Sequence, residues 1–303
     1  MITVIGSSNT DMILKLARIP APGETLLGGA FQMAAGGKGA NQAVAAARAG
    51  GKVNFIACVG QDVFGTQAIE GFQKDGIQTD YIFQAEASAS GVALIFVSEE
   101  GENSIGVASG ANAMLLPHHL DQALPAIDAA SMVLLQLETP ISTISHAVDL
   151  AHARGKKVIL NPAPAQALSK ELISKIDILT PNESEASLLT QLAVHTHQEA
   201  IQAAKKLGDM GAKEVIITLG KEGALYYNGQ KSLLIPGFVV EAQDTTAAGD
   251  TFNGSLAVAL TEGKSMEEAI KFAHAAAAIS VTRTGAQPSV PSREEIDTFL
   301  AAH

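Results

Sequence analysis

Short apolar runs rich in β-branched residues alternate along the chain with longer, Ala-rich stretches. The runs Ile2–Gly6, Val53–Val59, Ser131–Leu137, Lys157–Leu160, Asp177–Thr180 and Glu214–Leu219 read as strands. They are continuously apolar rather than alternating, the pattern of strands buried on both faces of a parallel sheet. Between them, Asn41–Ala49, Phe64–Lys74, Ile141–Ala153 and Glu183–Leu192 have helical length and end at breaks such as Gly50-Gly51, Gly76 and Gly155. Two further helical segments, Ala247–Thr261 and Ser265–Val281, close the pattern, and Ser265 with Glu268 forms a capping-box signature. The succession predicts an α/β fold with a mostly parallel central sheet flanked by helices. Its crossovers should be right-handed.

Two segments break the rhythm. Met12–Ala35 carries Pro20, Pro22, Gly23, Gly28 and Gly29 among short apolar pieces. Gly91–Val97, the polar Glu99–Asn103 and Ser104–Val107 read as a hairpin. Together, at approximately 12–35 and 88–107, they predict a small antiparallel sheet projecting from the main body, suited to a lid or a dimer surface. No repeat or Pro/Ser-rich linker divides the chain, so residues 1–303 are expected to form one domain. Ala275–Ala278 reads as a tightly packed helix.

Composition narrows the function. With 47% apolar and 17% charged residues the chain can build a large core. A net charge of -11 argues against nonspecific nucleic-acid binding. An anionic ligand stays possible, because helix N-termini bind phosphate through backbone N–H groups. The single cysteine, Cys58, rules out an internal disulfide and a cysteine-rich zinc site, and its apolar flanks place it in the core. The opening MITVIG is not read as a signal peptide, and no apolar run reaches the roughly 18 residues of a membrane span. The expectation is a cytoplasmic protein without a membrane partner.

Four segments carry candidate chemistry. In Gly36-Gly37-Lys38-Gly39-Ala40-Asn41-Gln42, three glycines in four residues permit close backbone approach just before a helix. The segment is either a flexible helix-capping turn or a polar-ligand site served by Lys38 and Asn41. In Asp244-Thr245-Thr246-Ala247-Ala248-Gly249-Asp250, small residues open an apolar helix whose free N–H groups suit an anion such as a transferring phosphoryl group. Asp250 there either caps the helix or takes a proton from an attacking hydroxyl. Thr180-Pro181-Asn182-Glu183-Ser184-Glu185 ends a strand, where open sheets bind ligands. It is either an ordinary helix start or a place where Asn182 and Glu185 meet hydrated Mg²⁺ and phosphate. Thr218-Leu219-Gly220-Lys221-Glu222-Gly223 is either a tight turn or a loop along a nucleotide.

Other patterns are excluded or weaker. Gly263-Lys264-Ser265 is the only GK[ST], but Val258 stands where a phosphate-binding loop needs its first glycine. Gly6-Ser7-Ser8-Asn9 lacks the dinucleotide fingerprint. Asn9 and Asp11 follow the first strand with hydroxyl-binding chemistry. Glu138 either faces a pocket or sits on the surface. The eight histidines show no metal spacing. His118 and His119 suit a solvated helix start, and His274 a packed helix.

GGKGANQA and DTTAAGDTFNG, with LNPAPA, TPNE and ITLG between them in order, make the chain resemble the ribokinase-like family of sugar and nucleoside kinases. The likeness runs from GSSNTD at Gly6 to GAQPSVP at Gly285. It implies a sheet lid that pairs two subunits into a homodimer, and transfer of the ATP γ-phosphoryl group to the 5-hydroxyl of ribose. It implies Asp250 as the base and Ala247, Ala248 and Gly249 as an anion hole. Asn9, Asp11, Gly37, Lys38, Asn41 and Glu138 match sugar contacts. Asn182, Thr218, Gly220, Gly223, Gly249 and His274 match nucleotide positions, with Glu185 associated indirectly with Mg²⁺. Asp244, Thr246, Ser280, Arg283, Gly285 and Ser289 match a monovalent-cation site, usually for K⁺, built largely from backbone carbonyls. Ala247 departs from the Gly common in the wider family, and Ser255 from Ala or Gly. The alternatives are a family kinase for deoxyribose, fructose or a nucleoside, and a noncatalytic sugar- or nucleotide-binding regulator.

Overall fold

A computed structural model describes all 303 residues. In chain order the strands are β1 (Ile2–Ile5), β2 (Asn9–Leu16), β3 (Ala30–Gly36), β4 (Val53–Gly60), β5 (Ile82–Ala85), β6 (Gly91–Ser98), β7 (Asn103–Ala108), β8 (Met132–Leu135), β9 (Lys157–Leu160), β10 (Ile178–Leu179), β11 (Glu214–Thr218), β12 (Ala224–Tyr227) and β13 (Ser232–Ile235). The helices are α1 (Lys38–Arg48), α2 (Val63–Lys74), α3 (Pro117–Gln122), α4 (Leu124–Ala129), α5 (Ile141–Ala153), α6 (Lys170–Ile173), α7 (Glu183–Thr190), α8 (His197–Asp209), α9 (Ala248–Thr261), α10 (Met266–Val281) and α11 (Arg293–Ala302).

Nine strands form the main sheet in the order β13-β12-β11-β10-β9-β8-β1-β4-β5. Pairing is parallel from β5 through β11 and antiparallel at β12 and β13. Apolar side chains alternate between its two faces: Leu135 belongs to the buried layer that also holds Ile144 of α5 and Leu207 of α8, while Leu134 belongs to the layer that holds Leu256 of α9 and Ile270 of α10. Burial on both faces is why the strands read as unbroken apolar runs. Cys58 is buried in the first of these layers.

The irregular segments form a separate four-stranded sheet, β3-β2-β6-β7. β6 and β7 are the expected antiparallel hairpin, whereas β2 and β6 run parallel. The sheet begins at Asn9, three residues before the expected start, so Asn9 and Asp11 are strand residues at its root. Thr10, Met12 and Leu14 face oppositely to Asn9, Asp11 and Ile13 by the strand period. Phe31, Met33, Leu94, Ile105 and Val107 of this sheet are exposed.

Several elements lie outside the expected set. The edge strands β5 and β13 are short, and α3, α4 and α6 have only four to six residues each. α8 is longer, capped by Thr196, with Ala200, Ala203, Ala204 and Leu207 buried along one stripe. α11 begins at the Ser292–Glu295 capping box. α1 opens at Lys38, ahead of the expected Asn41. Gly263-Lys264-Ser265 separates α9 from α10 as expected. No helix is long and apolar enough to cross a membrane.

α9 has ten buried residues and lies against α1 and α10. Gly254 permits the crossing with α1: a Cβ there would sit 2.5 Å from the Gln42 carbonyl oxygen and 2.8 Å from the Ala46 nitrogen. This close approach brings the first turn of α1 to the first turn of α9.

Candidate active site

The carboxyl ends of the strands gather the polar residues, as open α/β sheets do. After β8 comes Glu138, whose Oε2 accepts hydrogen bonds from the Ser7 hydroxyl (2.5 Å) and the Lys38 backbone N–H (2.9 Å). It thus sits at the N-terminus of α1, where a carboxylate is favoured. Glu138 faces a cavity of about 510 Å³ that Asn9, Asn112, Thr139 and Gln166 also line. Gly37 caps α1 at φ 88°, a left-handed conformation, with its Cα against the backbone of Ser8 and Asn9. Beside it, Gly36 leaves room for the Asp11 carboxylate.

Asp250 is buried in the first turn of α9, where Ala247 occupies the cap position. Its carboxylate does not cap the helix. Oδ2 accepts from Asn41 Nδ2 (3.0 Å) and Oδ1 from Gln42 Nε2 (2.9 Å). Gln42 is held in turn by Gln136 Nε2, which donates to its Oε1 (2.6 Å), and by Asn161 Oδ1, which accepts from its Nε2 (3.1 Å). Asn161 Nδ2 donates to the Thr180 carbonyl (3.1 Å), and the Thr180 hydroxyl donates to Asn253 Oδ1 (2.6 Å). This buried network fixes the direction of each amide, because a carboxylate only accepts. Asn41 Oδ1 is buried without a partner.

Ala247 has φ 58° and ψ 14°, an unusual conformation for alanine that costs about 1–2 kcal/mol. Ala248 N–H donates to the Thr245 carbonyl at 3.2 Å, while the N–H groups of Ala247, Gly249 and Asp250 make no hydrogen bond within the chain. These residues line a cavity of about 200 Å³ together with Lys38, Asn182, Glu185 and Thr218, among others. Asn182 caps α7 through Oδ1 to the Glu185 N–H (2.8 Å), and Glu185 Oε2 accepts from the Asn182 N–H (2.9 Å). The capping role is therefore real, yet Glu185 is buried facing the cavity. Thr218 is bridged to Asn182 across the ends of β10 and β11.

A neighbouring cleft of about 340 Å³ is mostly apolar, lined by Gly220, Phe238, Val239, Ala248, His274 and Ala277 among others. His274 is both packed and cleft-lining: it lies beside Phe252, its Nε2 lacks a partner, and burial lowers its pKa to about 4. Gly223 does not line the cleft; at φ 104° it packs against the Ile235 carbonyl.

Asp244, Thr246 and Gly285 lie together: Asp244 accepts from the N–H groups of Thr246 (2.9 Å) and Gly285 (2.8 Å). Burial opposes its ionisation, but these hydrogen bonds outweigh burial and hold its pKa below the usual value. Ser280 and Ser289 are buried, with hydroxyls donating to the Ala277 and Ala286 carbonyls. The Arg283 guanidinium is paired with Glu295.

Asp11, Glu138, Asp250 and Lys38 are close enough to act on one another electrostatically. Burial raises the Asp11 pKa to about 6, helped by the negative charges of Glu138 and Asp250. Asp250 is raised by burial and Glu138, against the pull of Lys38 and its two amide donors. Burial alone would lower Lys38, but Asp250, Glu138 and Glu185 together raise it. A buried carboxylate with a raised pKa, a lysine and free helix N–H groups around one cavity form a site for moving a proton beside a polyanion.

Gln42, Gln136, Asn161 and Asn112 were not among the sequence candidates. Gln42 carries the one visible signal, a long polar side chain among the mostly small, apolar buried residues of α1.

A family model for pfkB family carbohydrate kinases matches residues 1–293. The chain is 50% identical to a ribokinase of Haemophilus influenzae over 299 residues, covering 99% of this chain and 98% of that one. It is 40% identical to a deoxyribokinase of Salmonella typhi over 301 residues, covering 99% and 98%. The solved structure of an Arabidopsis thaliana ribokinase complexed with ribose and ATP superposes with a TM-score of 0.94 at 36% identity, covering 99% of this chain and 98% of that one.

Proposed function

The chain belongs to the pfkB family of carbohydrate kinases, and from that premise we propose that it transfers the γ-phosphoryl group of ATP to the 5-hydroxyl of D-ribose, giving ribose 5-phosphate and ADP. The observation that carries the chemistry is the Asp250 carboxylate, buried and aimed by two amide donors beside the free N–H groups of α9. Asp250 accepts the hydroxyl proton as the sugar oxygen bonds to phosphorus and the bond from phosphorus to the ADP oxygen breaks. The N–H groups of Ala247 and Gly249, with Ala248 completing the turn, face the charge that develops on the transferring group. Lys38 helps keep Asp250 ionised.

Asn9, Asp11, Gly37, Lys38, Asn41 and Glu138 hold the sugar, whose hydroxyls satisfy the carboxylates. Asn182, Thr218, Gly220, Gly249 and His274 serve the nucleotide, the base lying in the apolar cleft, while Gly223, whose N–H donates to the Gly220 carbonyl, closes the turn behind Gly220. The buried Glu185 carboxylate at the phosphate cavity fits an indirect role with Mg²⁺, held through water together with Asn182. Mg²⁺, when bound, neutralises phosphate charge. The set of Asp244, Thr246, Ser280, Arg283, Gly285 and Ser289 fits a monovalent cation such as K⁺, since it offers one carboxylate, hydroxyls and carbonyls while Arg283 is turned to Glu295. The exposed Phe31, Met33 and Leu94 support a homodimer formed through the smaller sheet. We place the enzyme in the cytoplasm.

ADP release from MgATP with D-ribose, 2-deoxy-D-ribose, D-fructose and adenosine, each with and without K⁺, tests the proposal. Ribose-dependent release enhanced by K⁺ is the expected result. Preference for another acceptor overturns the sugar assignment. Ribose binding without ADP release points instead to a noncatalytic regulator.

A further inference from the structure

We propose that Asn112 is a positioning residue that makes Asn9 a hydrogen-bond donor to the sugar and so sets selectivity for one of its hydroxyls. The inference rests on the proposal above that the sugar occupies the cavity lined by Asn9.

Asn112 lies in the short 3₁₀ turn that follows β7. Its orientation is fixed by the backbone of Ser8. Ser8 N–H donates to Asn112 Oδ1 at 2.8 Å, and Asn112 Nδ2 donates to the Ser8 carbonyl at 3.2 Å. A backbone N–H can only donate, so Oδ1 has to face it. The same Nδ2 also donates to Asn9 Oδ1 at 2.7 Å. That contact leaves the Asn9 amide nitrogen as the group available to a ligand. The direction of both amides therefore follows from one backbone N–H. Asn112 and Asn9 are 2% and 7% exposed, so water has little access to compensate a reversed amide. Gly91 leaves room for the contact, since a side chain there would overlap both amides.

The direction matters because the rest of the site is rich in acceptors. Asp11, Glu138 and Asp250 are carboxylates, and Asn41 Oδ1 is an unpartnered acceptor. Each sugar hydroxyl has one proton to give. A hydroxyl that gives it to a carboxylate presents only lone pairs to Asn9 and requires a donor there. A reversed Asn9 would set oxygen against oxygen.

The test uses Asn112→Asp in the full-length enzyme. The introduced carboxylate cannot donate to Asn9, so Asn9 turns its nitrogen toward that carboxylate and its oxygen toward the sugar. kcat/KM is measured for D-ribose and for its 2-deoxy, 3-deoxy, arabino and xylo analogues on one preparation. The ratios are independent of how much protein is folded. The wild type should discriminate against loss or inversion of one hydroxyl by roughly tenfold to a hundredfold. Asn112→Asp should flatten that one ratio, chiefly through KM, and leave the others in place. Asn112→Ala, which removes the donor to Asn9 outright, serves if the aspartate variant does not fold. In an Asn9→Ala background the Asn112 substitution should have no effect on the ratio. A uniform loss on every sugar, or unchanged ratios, overturns the proposal. Failure of the wild type to phosphorylate any pentose overturns the underlying functional assignment instead.

Discussion

Asp11→Asn should make the free enzyme more stable while damaging its function. Asp11 is held at a pKa of about 6 against an ordinary 3.8, by burial and by the charges of Glu138 and Asp250. A carboxyl with a raised folded pKa stabilises the fold relative to its ionised state only at low pH, and that contribution is lost as pH rises through about 6. The two values differ by about 2, and at about 1.36 kcal/mol per pH unit the cost above pH 7 is about 3 kcal/mol. Asparagine is nearly isosteric and carries no charge, so it removes this cost. For a chain of 303 residues, that gain corresponds to about 5 °C in Tm. The gain should fall to about half at pH 5, where Asp11 is largely protonated in the fold. Thermal unfolding of both proteins at pH 5 and pH 8, with and without ribose, reads all of this. Ribose should raise the wild-type Tm and barely move that of the variant. A variant no more stable at pH 8, or a gain equal at both pH values, would refute the electrostatic reasoning.

Gln42→Met removes one of two donors to Asp250 and should make its carboxylate harder to ionise. A hydrogen bond to a charged group is worth about 1.5–3 kcal/mol, so the acid limb of kcat/KM should move up by about 1–2 pH units. The direction follows because the carboxylate is the active form; an unmoved limb would contradict the role given to Gln42. Gly254→Ala drives a methyl into the backbone of α1 and should cost about 1–3 kcal/mol in urea unfolding, with kcat falling as α9 shifts. An unchanged urea midpoint would show that the crossing is looser than described.

The elements readable in the sequence are those whose apolar pattern has one solution. β1, β4, β8, β9 and β11 are buried on both faces and stand out as continuous apolar runs. The smaller sheet was legible as one Pro- and Gly-rich interruption and one hairpin pattern, although its root at Asn9 was not, because Asn-x-Asp has no strand signature. β5 and β13 are edge strands whose short apolar runs acquire meaning only beside β4 and β12. Asp250 was visible, but its choice between capping and proton transfer depends on Asn41 and Gln42, more than 200 positions away. The same long range hid Gln136, Asn161 and Asn112. Their amides are common residue types, and only the fold shows that each meets a partner of fixed polarity.

The most direct test of the chemistry is Asp250→Asn. Calorimetry and turnover should be measured on the same preparation. The variant should bind ribose with an affinity near that of the wild type, while ribose-dependent ADP release falls by about 10²–10⁴-fold for loss of a general base. Turnover within about tenfold of the wild type, with ribose still bound, would contradict Asp250 as the group that takes the proton.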